Sequence, residues 1–274
     1  MMTKLLRHQF LSTGRLLGSV IGVIVLITVV SLAAALLRLP FIGAFGLGIA
    51  YLLLVVLVPV ALLLLAVDYW QSMYGQRGYF TMSLPVRGRE LFATKTLHAM
   101  LIALGTGAVV LLGAVLTRVA DARLRGAPVG ESLGDAWDQV RALPAGALWL
   151  IVAAVLVWVA TTIVQVAAVL SISAQGRFNH LGAGAPLIGL VLLYLGNQVT
   201  SLVAMLWVPL GVVLSGPDTG ALVARGMWSS FAEAVRTGGD PEILGVGSLA
   251  SSVVIAALLG WWAVHSIEHH TSLR

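Results

Sequence analysis

The sequence predicts an all-α polytopic membrane protein with six transmembrane helices, and three observations predict it. Asp, Glu, Lys and Arg make up only 10% of 274 residues, too few to clothe a water-facing surface of that size. Apolar residues reach 59%, and the mean hydropathy is +1.00. Six separate stretches approach or exceed the ~20 apolar residues needed to carry a helix across a hydrocarbon core of about 30 Å.

In chain order, the first element is an interfacial helix over residues 3–15. Leu5, Leu6 and Phe10 share a broad apolar face there, while Lys4, Arg7, His8 and Arg15 supply the polar side. A simple extension of the first span is the plainer alternative. The spans follow at 16–37, 45–66, 92–116, 148–170, 187–214 and 247–267. The first has basic residues before it and small residues at Ala33–Ala35, like a secretory leader. Its apolar run is much longer than a leader core of about 7–15 residues, so it reads as a span. The fifth is long enough to tilt, to bend near Pro209 or to leave the membrane early.

Three connections are long: 67–91 between spans two and three, 117–147 between three and four, and 215–247 between five and six. Within the last, Thr219–Arg236 carries apolar residues suited to one side of a short helix, bracketed by Gly216, Pro217, Gly238, Gly239 and Pro241. With the amino terminus inside, the inner segments hold nine Lys and Arg residues and the outer ones seven, along with eight of the eleven acids. That bias predicts both termini in the cytoplasm and the 67–91 loop on the same side. The basic residues are dispersed around apolar runs, so the net charge of +5 predicts no nucleic-acid partner. Cysteine is absent, which removes disulfides, thiolate metal sites and thiol catalysis.

Within the spans, polar side chains are expected to face protein or water. Thr161, Thr162 and Gln165 in span four and Asn197 and Gln198 in span five form two such clusters, with Thr200 and Ser201 close by. They suit the lining of a route for an amphipathic substrate, and equally a helix lock or a dimer seam. Gly105 and Gly113 permit close approach on the third helix. Trp70, Trp149, Trp207, Trp261 and Trp262 sit near span ends, where interfacial anchoring is ordinary, and Trp158 lies deeper. His265, His269 and His270 read as a helix end, since a metal site needs more convergent ligands; no metal or cofactor is expected in this chain. Asp68 and Glu90 suggest ion pairs with Arg87 or a partner's arginine. Buried carboxylates in a row are absent, which speaks against a proton relay.

The 67–91 loop carries the densest pattern. After Asp68, Tyr69 and Trp70 come Gly75 and Gly78, then Tyr79, Phe80, Met82 and Leu84, then Pro85 and the pair Arg87 and Arg89. Such a segment suits an amphipathic connector in the headgroups, or a knob with aromatic anchors and an arginine rim pushed into a cleft of a cytoplasmic protein.

The stretches KLLRHQFLSTGRLL, YGQRGYFTMSLPVRGRELFATKTLHA and SISAQGRFNHLGAG, taken with six spans, resemble the membrane (permease) subunit of type-2 ABC exporters. The likeness runs over nearly the whole chain. It implies a cytoplasmic coupling helix between spans two and three, with Gly75, Tyr79, Phe80, Leu84, Pro85 and Arg87 in or beside it and Lys95 at the mouth of span three. It also implies a bacterial cytoplasmic membrane, a second membrane subunit, identical or related, surrounding lipid, and separate cytoplasmic ABC ATPase subunits that hold ATP and magnesium. On that reading the chain is not itself an enzyme. The 117–147 and 215–247 loops depart from family members that carry a very large extracellular domain. A non-transporting membrane scaffold or assembly protein, a solute-coupled transporter and an intramembrane enzyme are the alternatives; the last two lack the midplane charges or catalytic constellation they would need.

Overall fold

The computed structural model describes residues 2–37, 40–75, 78–79, 86–182, 184–214 and 219–269. Six helices are long and apolar enough to cross a membrane, at Leu5–Leu36, Phe41–Met73, Gly88–Leu124, Gly146–Ser173, Gly184–Trp207 and Gly247–His269. The chain is therefore an all-α polytopic membrane protein in its spanning part. It divides into two compact units, one of residues 1–73 and 90–140, the other of 74–89 and 141–274.

The first unit is built on α1 (Met2–Leu36), α2 (Pro40–Met73) and the body of α3 (Gly88–Leu124). Residues 3–15 do not form a helix of their own, because α1 runs unbroken from Met2 to Leu36. It contains no proline, and 35 residues give a rod of about 50 Å, well beyond the hydrocarbon core. The α1–α2 hairpin closes on Leu32, Ala35, Leu47 and Ala50, with Ala120 of α3 completing the cluster. Small residues set the spacing: a Cβ on Gly46 would strike the Ser31 carbonyl oxygen, and one on Gly113 would strike the Leu54 side chain. This is close packing of the kind expected where dispersion, not water, holds helices together.

Helix α3 ends in a tight reversal. Ala127 N donates to Ala122 O at 2.9 Å and Gly126 N to Arg123 O at 3.3 Å, with Gly126 at φ 70°. Glycine at that left-handed position closes the helix without steric cost. What the sequence presents as a 117–147 loop is thus mostly helical, since α3 covers its start and α4 (Val129–Ala142) most of the rest. On α4 the apolar Leu133, Ala136, Trp137 and Val140 share one face, opposite Glu131, Asp135 and Asp138.

The second unit centres on α5 (Ala145–Ser173), α6 (Gly184–Trp207) and α8 (Gly247–His269), with a 3-10 turn at Gly176–Leu181 joining α5 to α6. Helix α8 packs on both α5 and α6. The expected fifth span, 187–214, is corrected: α6 stops at Trp207, because Pro209 cannot continue the ladder and restricts the residue before it. Beyond it the chain forms a small antiparallel sheet in the order β2 (Leu222–Val223), β1 (Gly211–Val213), β3 (Ile243–Gly245). The short helix expected within Thr219–Arg236 is present, confined to the end of that stretch. It forms as α7 at Trp228–Thr237, behind strand β2.

Residues 208–214 and 219–246 are therefore a folded cap more than a loop. Ser230 of α7 accepts from Glu242 N at 2.8 Å, Trp228 stacks on Trp207 with centroids 5.3 Å apart, and Gly238 at φ 72° ends α7. Gly245 and Gly247 lie so close to α6 that a Cβ on either would meet the carbonyl oxygens of Met205 and Ala204.

Candidate functional site

The densest polar cluster in the first unit lies where α1, α2 and α3 meet. Each helix contributes two residues about a turn apart: Gln9 and Thr13, Asp68 and Ser72, Lys95 and His98. That spacing puts each pair on one helical face. Lys95 Nζ donates to Ser72 Oγ at 2.5 Å and lies 4.0 Å from Asp68 Oδ2. Gln9 Nε2 donates to the same carboxylate oxygen at 3.1 Å, which ties α1 to α2. Thr13 Oγ1 donates to Gln9 O at 2.8 Å and lies 3.3 Å from His98 Nε2. With its one proton committed to Gln9, the Thr13 hydroxyl is left as an acceptor, so His98 Nε2 is the donor in that contact. Phe10 covers the imidazole edge-on, its centroid 4.5 Å away.

Burial makes the cluster consequential. Lys95 is 8% exposed and His98 2%. An ammonium held that far from water requires a countercharge, and Asp68 supplies it. Lys95, one helix away, is an ion-pair partner of Asp68 that the sequence-based reading did not name. The clamp also brackets the connection between spans two and three along the chain. Asp68 and Ser72 precede the end of α2 at Met73, and Lys95 and His98 follow the start of α3 at Gly88. The connection itself is shorter than 67–91, because both helices extend into it.

Within that connection Gly78 N donates to Gly75 O at 2.8 Å, and Tyr79 is exposed. Arg87 is exposed as well, whereas Phe80, Leu84 and Pro85 lie outside the described residues. The segment re-enters α3 against the end of α8. A Cβ on Gly88 would press on the Ile267 and Glu268 side chains, and Arg89 N donates to Glu268 Oε1 at 3.4 Å.

The polar residues proposed for spans four and five separate into two groups. Gln165 and Asn197 come together, Asn197 Nδ2 donating to Gln165 Oε1 at 2.7 Å. Gln165 Nε2 in turn donates to Ser252 O on α8 at 3.0 Å, so one buried amide links three helices. Thr161 instead returns its hydroxyl to Val157 O at 2.8 Å within α5. Thr162 is half-buried and Gln198 exposed. Asn197 also borders an open groove of about 460 Å³ between α5, α6 and α8. Near the end of α8, His265 and His269 stack with centroids 4.6 Å apart, and His269 Nδ1 lies 3.1 Å from His265 O. No group of three His, Cys, Asp or Glu able to hold a metal occurs among the described residues, and His270 lies outside them.

The clamp was available in the sequence as a signal that went unused. Three helices each carry a polar pair about one turn apart, and one carboxylate and one lysine are among them. Comparison with protein-family models, with curated proteins and with solved structures gives no match to this chain.

Proposed function

We propose that this chain is the transmembrane subunit of an ATP-driven exporter of the ABC-2 type, forming the substrate pathway and coupled to a separate cytoplasmic ATPase. The observation that carries the reading is the clamp of Asp68, Ser72 and Lys95, tied to α1 through Gln9. A segment that receives force from a partner transmits it only if its roots are stiff. The buried Lys95 on α3, held by the half-buried Asp68 and Ser72 on α2, supplies that stiffness. Tyr79 and Arg87, exposed in the connection, have the character of an aromatic anchor and a rim cation.

In this mechanism two membrane subunits, identical or related, line the path. The ATPase subunits close on ATP and magnesium and push on the connections between spans two and three, and the helices shift packing to move an amphipathic substrate outward. Both termini and the connection then lie in the cytoplasm. The hydrolytic chemistry belongs to the partner. The polar pair Gln165 and Asn197 is the candidate for contact with substrate, since Asn197 borders the open groove.

The test is purification of the tagged chain from its native membrane in mild detergent, with mass spectrometry and an ATPase assay. The reading expects a stoichiometric nucleotide-binding subunit with ATPase activity, lost in the Phe80→Asp/Leu84→Asp double variant while membrane insertion is kept. Recovery of the chain alone, under conditions that hold other membrane complexes together, overturns it.

A further inference from the structure

The groove between α5, α6 and α8 has an amphiphile's polarity. Its walls are aliphatic, with Val169 on α5, Ile188 and Leu192 on α6, and Leu259 on α8. One end is framed by Phe178 and Trp262. The Arg177 guanidinium lies over both rings, 4.7 Å from the Phe178 centroid and 5.8 Å from that of Trp262. Stacking on two rings holds the cation at the groove's rim with its N–H edges still available to an acceptor.

Nothing in the surrounding elements neutralises that charge. Residues 139–217, which include all of α5, the 3-10 turn and α6, contain neither Asp nor Glu. On α8 the acid is Glu268, which accepts from Arg89 N. Among the described residues no carboxylate forms an ion pair with Arg177. The described residues thus offer Arg177 no carboxylate, and its exposed guanidinium is open to an anion from outside the chain. Along α6 the lining runs from Ala185 to Thr200, a rise of about 22 Å, enough to reach from headgroup level past the centre of a ~30 Å hydrocarbon core.

We propose that this groove binds one anionic phospholipid of the surrounding bilayer, its phosphate paired with Arg177 and one acyl chain laid along α6. The charge argument selects lipid over a second copy docked through this same face, because α5 and α6 of that copy bring no acid to meet Arg177. The inference goes beyond the transport reading and does not depend on it. The site takes its ligand sideways from the membrane, and the bound chain fills a space that would otherwise lack contacts on one side.

Gly196 provides the means to test it, since it lines the groove and a Cβ built there meets nothing within 4 Å. The purified, delipidated chain is titrated with dioleoyl phosphatidylglycerol and, separately, dioleoyl phosphatidylcholine, and bound lipid is counted by native mass spectrometry. Wild type is expected to take one phosphatidylglycerol per chain with a preference of about fivefold over phosphatidylcholine. Arg177→Gln should erase the preference and Arg177→Lys retain most of it. Gly196→Phe should abolish binding of both lipids and Gly196→Leu weaken it, with elution profiles and melting temperatures unchanged. Equal affinity of wild type for the two lipids overturns the proposal, as does undiminished binding by Gly196→Phe. The chain has no cysteine, so Gly196→Cys also reports the rival occupant. A disulfide-linked dimer formed through it in the membrane would seat a second copy in the groove and overturn the assignment.

Discussion

The two units hold their helices together with different chemistry. In the first, α1, α2 and α3 meet around an ion pair, with Lys95 between Asp68 and Ser72. In the second, α5, α6 and α8 meet around neutral groups: the Gln165 amide takes Asn197 and Ser252 O, and Ser266 reaches Ser171 O at 3.4 Å. A charge pair is hard to part, because either member alone is stranded without water. A neutral amide can shift to another donor or to the groove at little cost. The difference separates a unit suited to moving as one piece from a unit suited to rearranging.

The largest expected effect is therefore in the first unit. Lys95→Met takes the buried ammonium away from the half-buried Asp68 carboxylate and should destabilise the protein by about 3 kcal/mol. The double variant Asp68→Asn/Lys95→Met should recover most of that loss, and chemical unfolding in mild detergent measures both. Equal losses in the single and double variants would show that the two residues are not coupled, and the contrast between the units would fail.

Six spans were legible because hydrocarbon imposes a length and an apolarity that few other structures satisfy. Span six, expected at 247–267, is found at Gly247–His269. What was illegible depended on contacts between helices. Asp68 looked like the end of a span and Lys95 like the start of another, since nothing local shows that a turn brings them within 4.0 Å. The cap misled for another reason. Gly211–Val213 continues the apolar run of α6, and a strand of three residues has no period long enough to betray it. Likewise the polar residues of spans four and five were visible as a set, but only the fold pairs Gln165 with Asn197 and leaves Thr161 bonded within its own helix.

A smaller effect sharpens the comparison within the first unit. Gly105 and Gly113 are indistinguishable in the sequence, yet a Cβ at 105 meets nothing within 4 Å while one at 113 drives into Leu54. Gly113→Leu should cost about 1–3 kcal/mol through overpacking. Gly105→Leu should be close to neutral in the same unfolding measurement, helped by better helix propensity. A similar loss at both positions would mean that helix α3 is pressed on both faces.

The smallest effect is expected in the second unit, at Gln165→Leu. The substitution removes both of the amide's bonds, but neither partner is stranded as an ion would be. Ser252 O lies within α8, and Asn197 is only half-buried at the edge of the open groove. Interhelical hydrogen bonds in membranes average about 0.6 kcal/mol and reach about 1.7, so a loss in that range is the expectation. A loss rivalling that of Lys95→Met would make the neutral tie as rigid as the charged one. The Gln165→Leu/Asn197→Leu double variant then separates the two uses of the pair. If these side chains touch substrate, transport by the intact complex falls more than stability does, because lost contacts on the moving molecule act on rate. If they serve only to hold α5, α6 and α8 in register, transport follows stability and no more.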